Sequence, residues 1–156
     1  AFFLDAYAFS TEGVIGFTIG RKNKKSFLSA VKNSMQLSFF TALIISIFYL
    51  IFFKQIINII TNIDILRFIS YKHAIWIIII PPIASFCYQL DGIFIGASQT
   101  KEMRNGMIVS VFSFIVLSIY LTKYFGNHGL WLSLLLFTLL RSLTLNYFFN
   151  KILKKF

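Results

Sequence analysis

Residues 35–53 run from Met35 to Phe53 without one charged side chain. An α-helix of about 20 mostly apolar residues spans the hydrocarbon core of a bilayer. A soluble protein can bury so apolar a helix only beneath a polar exterior. This chain has little with which to build one. Of its 156 residues 58% are hydrophobic and only 13% charged, against about 25% charged in ordinary soluble domains. A chain this short must still cover a large surface. Lipid as solvent removes the conflict, so the chain reads as an integral membrane protein. Backbone in lipid has to satisfy its own hydrogen bonds, which turns long apolar runs into helices.

Four further runs join the first, giving spans at about 1–20, 35–53, 73–98, 107–121 and 128–149. The expected fold is all-α, a polytopic transmembrane bundle of about five helices in a single domain over 1–156. The sequence opens on Ala1, and Ala1 to Leu4 reads as the middle of a helix with no signal-peptide pattern. The chain is therefore expected to be part of a longer protein. Its one cysteine, Cys87, lies in an apolar run and has no internal partner, so cysteine usage says nothing of the redox compartment.

The net charge is +10. A nucleic-acid binder would carry its basic residues as a stripe on a polar fold. Here they sit between apolar blocks, so no nucleic-acid partner is expected and lipid is the surrounding partner. Arg21, Lys22, Lys24, Lys25, Lys32, Lys101, Arg104, Lys151, Lys154 and Lys155 fall on one side of the spans. Lys54, Arg67, Lys72 and Lys123 fall on the other. Positive charge favours the cytoplasmic side. That places 21–32, 100–105 and the C-terminus in the cytoplasm.

The apolar bulk is broken in a few places. Residues 54–72 are too polar to span. Their isoleucines recur at helical spacing, which predicts an amphipathic helix at about 55–70 on the outer interface, or else a connector packed on the bundle. Pro81 and Pro82 interrupt the third span; each removes a helix hydrogen bond and favours a kink. Asp5 and Glu12 are seven residues apart and share one face of the first span, with Gly13, Gly16 and Gly20 near that face. Gly16 and Gly20, like Gly92 and Gly96, have the spacing that lets helices approach closely.

Intramembrane acids are costly, at least about 2.5 kcal/mol each, and they face bundle interiors and ion or substrate paths. Asp5, Glu12 and Asp91 are thus candidate cation-coupling or cavity residues, against the plainer alternative of carboxylates satisfied structurally by their neighbours. Arg141 either snorkels toward the cytoplasm or pairs with an acid inside the bundle. His73 and His128 lack the Cys or acid partners of a metal site. The sequence carries no phosphate-cradling glycine loop, no CxxC and no nucleophile constellation, so neither enzyme activity nor a cofactor or metal is expected.

Two stretches combine into a more specific signal. Leu4-Asp5-Ala6-Tyr7-Ala8-Phe9-Ser10-Thr11-Glu12-Gly13-Val14-Ile15-Gly16 and Leu90-Asp91-Gly92-Ile93-Phe94-Ile95-Gly96-Ala97, the latter followed by Lys101-Glu102-Met103-Arg104-Asn105, resemble paired patterns of the multidrug and toxic compound extrusion (MATE) family. Asn127-His128-Gly129-Leu130-Trp131 and Leu139-Leu140-Arg141 resemble that family's final helix. The likeness is nearest to its DNA-damage-inducible branch, with Ala6 standing where the pattern usually has glycine.

The resemblance implies a twelve-helix transporter of two six-helix lobes, of which this chain is the later part of the C-terminal lobe. It implies exchange of a proton or sodium ion for organic, often cationic, compounds by alternating access across a plasma membrane, the inner membrane in a bacterium. Asp91 matches the tenth-helix acid and Asp5 the eighth-helix aspartate, and an N-terminal lobe is the implied partner. Two alternatives stand beside this. One is a lipid-linked saccharide flippase of the same superfamily, which calls for basic residues lining the cavity. The other is a non-transporting assembly subunit.

Overall fold

The computed structural model describes residues 2–156, so the expected start of the first span at Ala1 lies outside them. The described residues form five α-helices and no strand: α1 (Phe2–Gly20), α2 (Lys24–Ile60), α3 (Asp64–Gly96), α4 (Thr100–Phe125) and α5 (Asn127–Leu153). Four of them, α2 to α5, are long and apolar enough to cross a membrane. The fifth, α1, is 19 residues long and carries Asp5 and Glu12.

The turns are short, so neighbouring helices run antiparallel. The turn after α1 and the turn after α3 are built alike. Lys22 (φ 51°) and Ser98 (φ 53°) take left-handed backbone. Beyond each, an amide reaches back five residues, from Asn23 to the Thr18 carbonyl at 3.2 Å and from Gln99 to the Phe94 carbonyl at 2.8 Å. This 6→1 bond closes a helix that ends in a left-handed residue. The Asn23 side chain then caps α2 by accepting from the Ser26 amide at 3.0 Å, satisfying one of the free donors of its first turn. Gly126 alone separates α4 from α5, at φ 56°.

These short turns change the expected boundaries. The basic run 21–32 is loop only at 21–23; Lys24, Lys25 and Lys32 already lie on α2. Residues 100–105 form the first turns of α4. The single amphipathic helix expected at 55–70 does not form. Thr61, Asn62 and Ile63 interrupt it, and its halves become the end of α2 and the start of α3. The physical reason is local. Thr61 leaves helical backbone (φ −141°, ψ 142°), and Arg67 holds the corner, with Nε on the Thr61 carbonyl at 2.8 Å and Nη2 on Asn62 Oδ1 at 3.2 Å and on the Asn58 carbonyl at 3.3 Å. At 37 residues α2 is about 55 Å long, well beyond the roughly 30 Å of a bilayer core.

At the centre of the bundle is α3, which packs on α1, α2, α4 and α5. Its C-terminal half is buried on nearly every side, at Ala84, Ser85, Cys87, Gln89, Leu90, Gly92, Ile93 and Phe94. The outer faces of the other helices are apolar and exposed, as at Phe40, Ile44 and Ile51 of α2 and Ile108, Phe112 and Ile119 of α4. That inversion of the soluble pattern suits lipid contact. The end of the bundle away from the basic turns is tied by a polar cluster. His73 stacks on His128 with ring centroids 4.4 Å apart, and the Trp76 indole donates to His128 Nδ1 at 3.0 Å.

Candidate functional site

The buried stripe of α1 is Leu4, Thr11, Ile15 and Thr18. Asp5 and Glu12 each follow one of these residues, so both carboxylates stand at the edge of the stripe, where α1 meets α3. The α1–α3 crossing is very close. A Cβ at Gly92 would lie 3.0 Å from both the carbonyl carbon and Cα of Ala8, and nearer still to its oxygen. A Cβ at Gly96 would lie 2.5 Å from the Glu12 carbonyl oxygen. Only glycine permits this approach.

Gly16 lies in the same crossing at ordinary contact distance, its nearest neighbour being the Gly96 carbonyl oxygen, 3.6 Å from a Cβ there. Gly13 and Gly20, expected as packing positions, face open space, with nothing within 4 Å of a Cβ. Spacing along one helix cannot say which glycines meet a neighbour. Two packing glycines were missed: Gly129, where a Cβ would fall 2.8 Å from the Thr122 amide nitrogen, and Gly106, 3.0 Å from Thr144 Oγ1. Both close the α4–α5 hairpin. Each stands outside a repeated GxxxG, so spacing carried no sign of them.

The crossing brings the intramembrane charges together. Asp5, Glu12, Asp91 and Arg141 line one cavity of about 290 Å³, with Ala8, Phe9, Tyr88, Gly92, Ile95 and Met103. Arg141 reaches across from α5. Its Nε and Nη2 donate to Asp91 Oδ1 at 3.2 and 2.9 Å, and Nη2 stands 2.9 Å from Oδ2. The two side chains are 11% and 16% exposed. The guanidinium's remaining partner is the Met107 sulfur. Of the two alternatives for Arg141, the geometry is that of the pair. Among the described residues, neither Asp5 nor Glu12 has an ion-pair partner within 4.0 Å.

A second polar contact lies behind the cavity. Gln89 is fully buried. Its Oε1 lies 2.7 Å from the Thr11 hydroxyl, which also stands 2.8 Å from the Tyr7 carbonyl. Neither residue was singled out from sequence, because a lone Gln or Thr in an apolar run carries no pattern of its own.

The prolines belong elsewhere. The helix α3 continues through Pro81 and Pro82. Lacking N–H groups, they leave the carbonyls of Ile77 and Ile78 without helix partners. Pro81 and Ile77 line a larger apolar cavity of about 540 Å³ with Trp76, Trp131, Tyr49 and Phe48, while Pro82 and Ile78 line another of about 390 Å³ between α2 and α3. None of the residues around the charged cavity borders either space. The His73–His128 stack lies apart from all four charged residues, and no group of three or more His, Cys, Asp or Glu that could hold a metal occurs among the described residues.

The model of one family, MatE, matches residues 1–123. The chain belongs to the MatE family. The matched residues include Asp5, Glu12 and Asp91, whereas Arg141 lies beyond them. DNA damage-inducible protein F of Escherichia coli (strain K12) is 34% identical over 145 residues, covering 93% of this chain and 31% of its own length. This chain thus spans about a third of the curated relative it matches. No solved structure matches it significantly. As a MatE protein with four membrane-length apolar helices, the chain is a multi-pass membrane protein. MatE proteins are transporters.

Proposed function

We propose that this chain is the later part of the C-terminal lobe of a cation-coupled antiporter that exports organic, often cationic or amphipathic, compounds by alternating access. The observation that carries the reading is the convergence of three carboxylates, Asp5 and Glu12 from α1 and Asp91 from α3, on one cavity of the helix bundle. Acids placed there cost free energy and mark ion or substrate paths. The coupling ion is a proton or sodium, each of which a carboxylate cluster can exchange. An N-terminal lobe completes the pathway. The protein resides in a plasma membrane, the inner membrane in a bacterium, with the turns at 21–23 and 97–99 and the C-terminus facing the cytoplasm.

The charge of the cavity disfavours a flippase for anionic lipid-linked saccharides. Its single cation, Arg141, is already paired with Asp91, which leaves a net negative lining.

Efflux of ethidium from proteoliposomes of the full-length protein, driven by an imposed pH or sodium gradient, tests the reading. Exchange is expected with one of the two gradients and should drop at least about ten-fold in Asp91→Asn and Asp5→Asn. Undiminished efflux in both variants would remove these acids from the coupling path. Absence of gradient-driven efflux in the parent would remove antiport itself. Sidedness is checked separately. With Cys87, the one cysteine of these 156 residues, and every cysteine elsewhere in the full-length protein replaced by alanine, Lys24→Cys should react with impermeant maleimide only from the cytoplasmic side.

A further inference from the structure

We infer that Arg141 is a tethered cation that rests on Asp91 and competes with the transported and coupling cations for the carboxylates of the cavity. The inference rests on the reading of this cavity as a cation pathway and adds to it the element that limits how tightly a cation is held. Arg141 grips Asp91 through Nε and Nη2. The guanidinium's one other contact is the sulfur of Met107, a weak acceptor that does little to hold it. Among the described residues no second carboxylate or backbone carbonyl bonds the group, so the side chain can leave Asp91 once another cation takes its place.

The charges of the cavity make the consequence specific. Asp5, Glu12 and Asp91 supply three negative charges and Arg141 one positive charge to the same space; Tyr88 is the remaining titratable group in the lining. An incoming monovalent cation meets two uncompensated carboxylates instead of three. When it reaches Asp91 it displaces a charge that stays within the cavity on its own side chain. A carrier must bind firmly enough to load and weakly enough to release. A resident positive charge sets that limit without closing the cavity.

A merely structural ion pair makes a different prediction, and a charge-counting cycle separates the two. The probe is tetraphenylphosphonium, with its dissociation constant measured on the full-length purified protein by equilibrium dialysis. Arg141→Gln leaves three uncompensated carboxylates and should tighten binding about ten-fold, within the range of one site-to-site coupling. Asp91→Asn frees the guanidinium to neutralise Glu12 or Asp5 and should weaken binding about ten-fold. The double variant restores the count of two and should return to within about three-fold of the parent. Arg141→Lys keeps the charge and should bind as the parent does.

The inference is overturned if Arg141→Gln binds no more tightly than the parent, or if the double variant binds no better than Asp91→Asn. Should Arg141→Gln fail to fold, the comparison of Asp91→Asn with the double variant decides alone. The double variant removes both charges of the pair, which avoids stranding one of them. Parent protein that exports ethidium while these affinities ignore the charge count overturns only the role of Arg141. Parent protein that neither exports nor binds the probe overturns the transport reading and this inference with it.

Discussion

Replacing Gly92 by alanine drives a methyl group into the backbone of α1. The new Cβ would sit 3.0 Å from the carbonyl carbon and Cα of Ala8 and closer still to its oxygen. Carbon atoms in good contact stand about 3.5–4.0 Å apart, so α1 must back away by roughly 0.5–1 Å. Backbone cannot rotate aside as a side chain does. The cost should therefore match overpacking in a tight core, about 1–3 kcal/mol, partly offset by the better helix propensity of alanine over glycine, up to about 1 kcal/mol. A net loss of about 1–2 kcal/mol is expected. Ala8 lies between Asp5 and Glu12 on α1, so the same shift carries both acids away from Asp91 and should slow transport as well.

The assay is equilibrium unfolding of the full-length protein in detergent or bicelles, with Gly13→Ala as the comparison. A Cβ at Gly13 meets nothing within 4 Å, and that variant should be neutral or slightly stabilised. If Gly92→Ala proves as stable as Gly13→Ala, the close α1–α3 crossing is not what holds these helices, and the account of the cavity built on it fails.

Other outcomes follow from the same geometry. Gly129→Ala places a Cβ 2.8 Å from the Thr122 amide nitrogen and should loosen the α4–α5 hairpin by about 1–3 kcal/mol, visible as faster amide exchange in α4 while α1 and α2 are unaffected. Thr11→Val strips the fully buried Gln89 Oε1 of its donor and should cost about 1–2 kcal/mol in the same unfolding assay; Thr11→Ser, which keeps the hydroxyl, should cost clearly less. His128→Ala removes both the stack on His73 and the acceptor of the Trp76 indole, and should cost about 1 kcal/mol with a shift in tryptophan emission, whereas a spectrum identical to the parent's would show that Trp76 is held by something else. Glu102→Gln breaks an ion pair with Lys151, which is 54% exposed, and should leave the unfolding midpoint almost unchanged, with any small difference from the parent vanishing in 0.5 M salt.

Much of this molecule is legible one residue at a time. Lipid leaves a chain little choice. A charge-free run such as 35–53 must be helical, because its backbone has no water to bond, and a carboxylate such as Asp91 must look inward, because hydrocarbon will not hold it. Helical class, the acids worth attention, and the MatE likeness carried by residues 4–16 and 90–105 all follow from local composition and order.

What the sequence could not decide depends on which helix lies beside which. Gly92 and Gly13 are alike as residues, yet one meets the backbone of Ala8 and the other open space. Whether Arg141 snorkels or pairs depends on α5 passing α3 at the level of Asp91, and no periodicity within α5 encodes that. Residues 55–70 have the pattern of one amphipathic helix. Their division at Thr61–Ile63 is settled by bonds from Arg67 back across the corner, between groups whose closeness exists only once the chain has turned. Periodicity fixes the faces of a helix. Contacts across the bundle decide what those faces meet, and the charged cavity consists of such contacts.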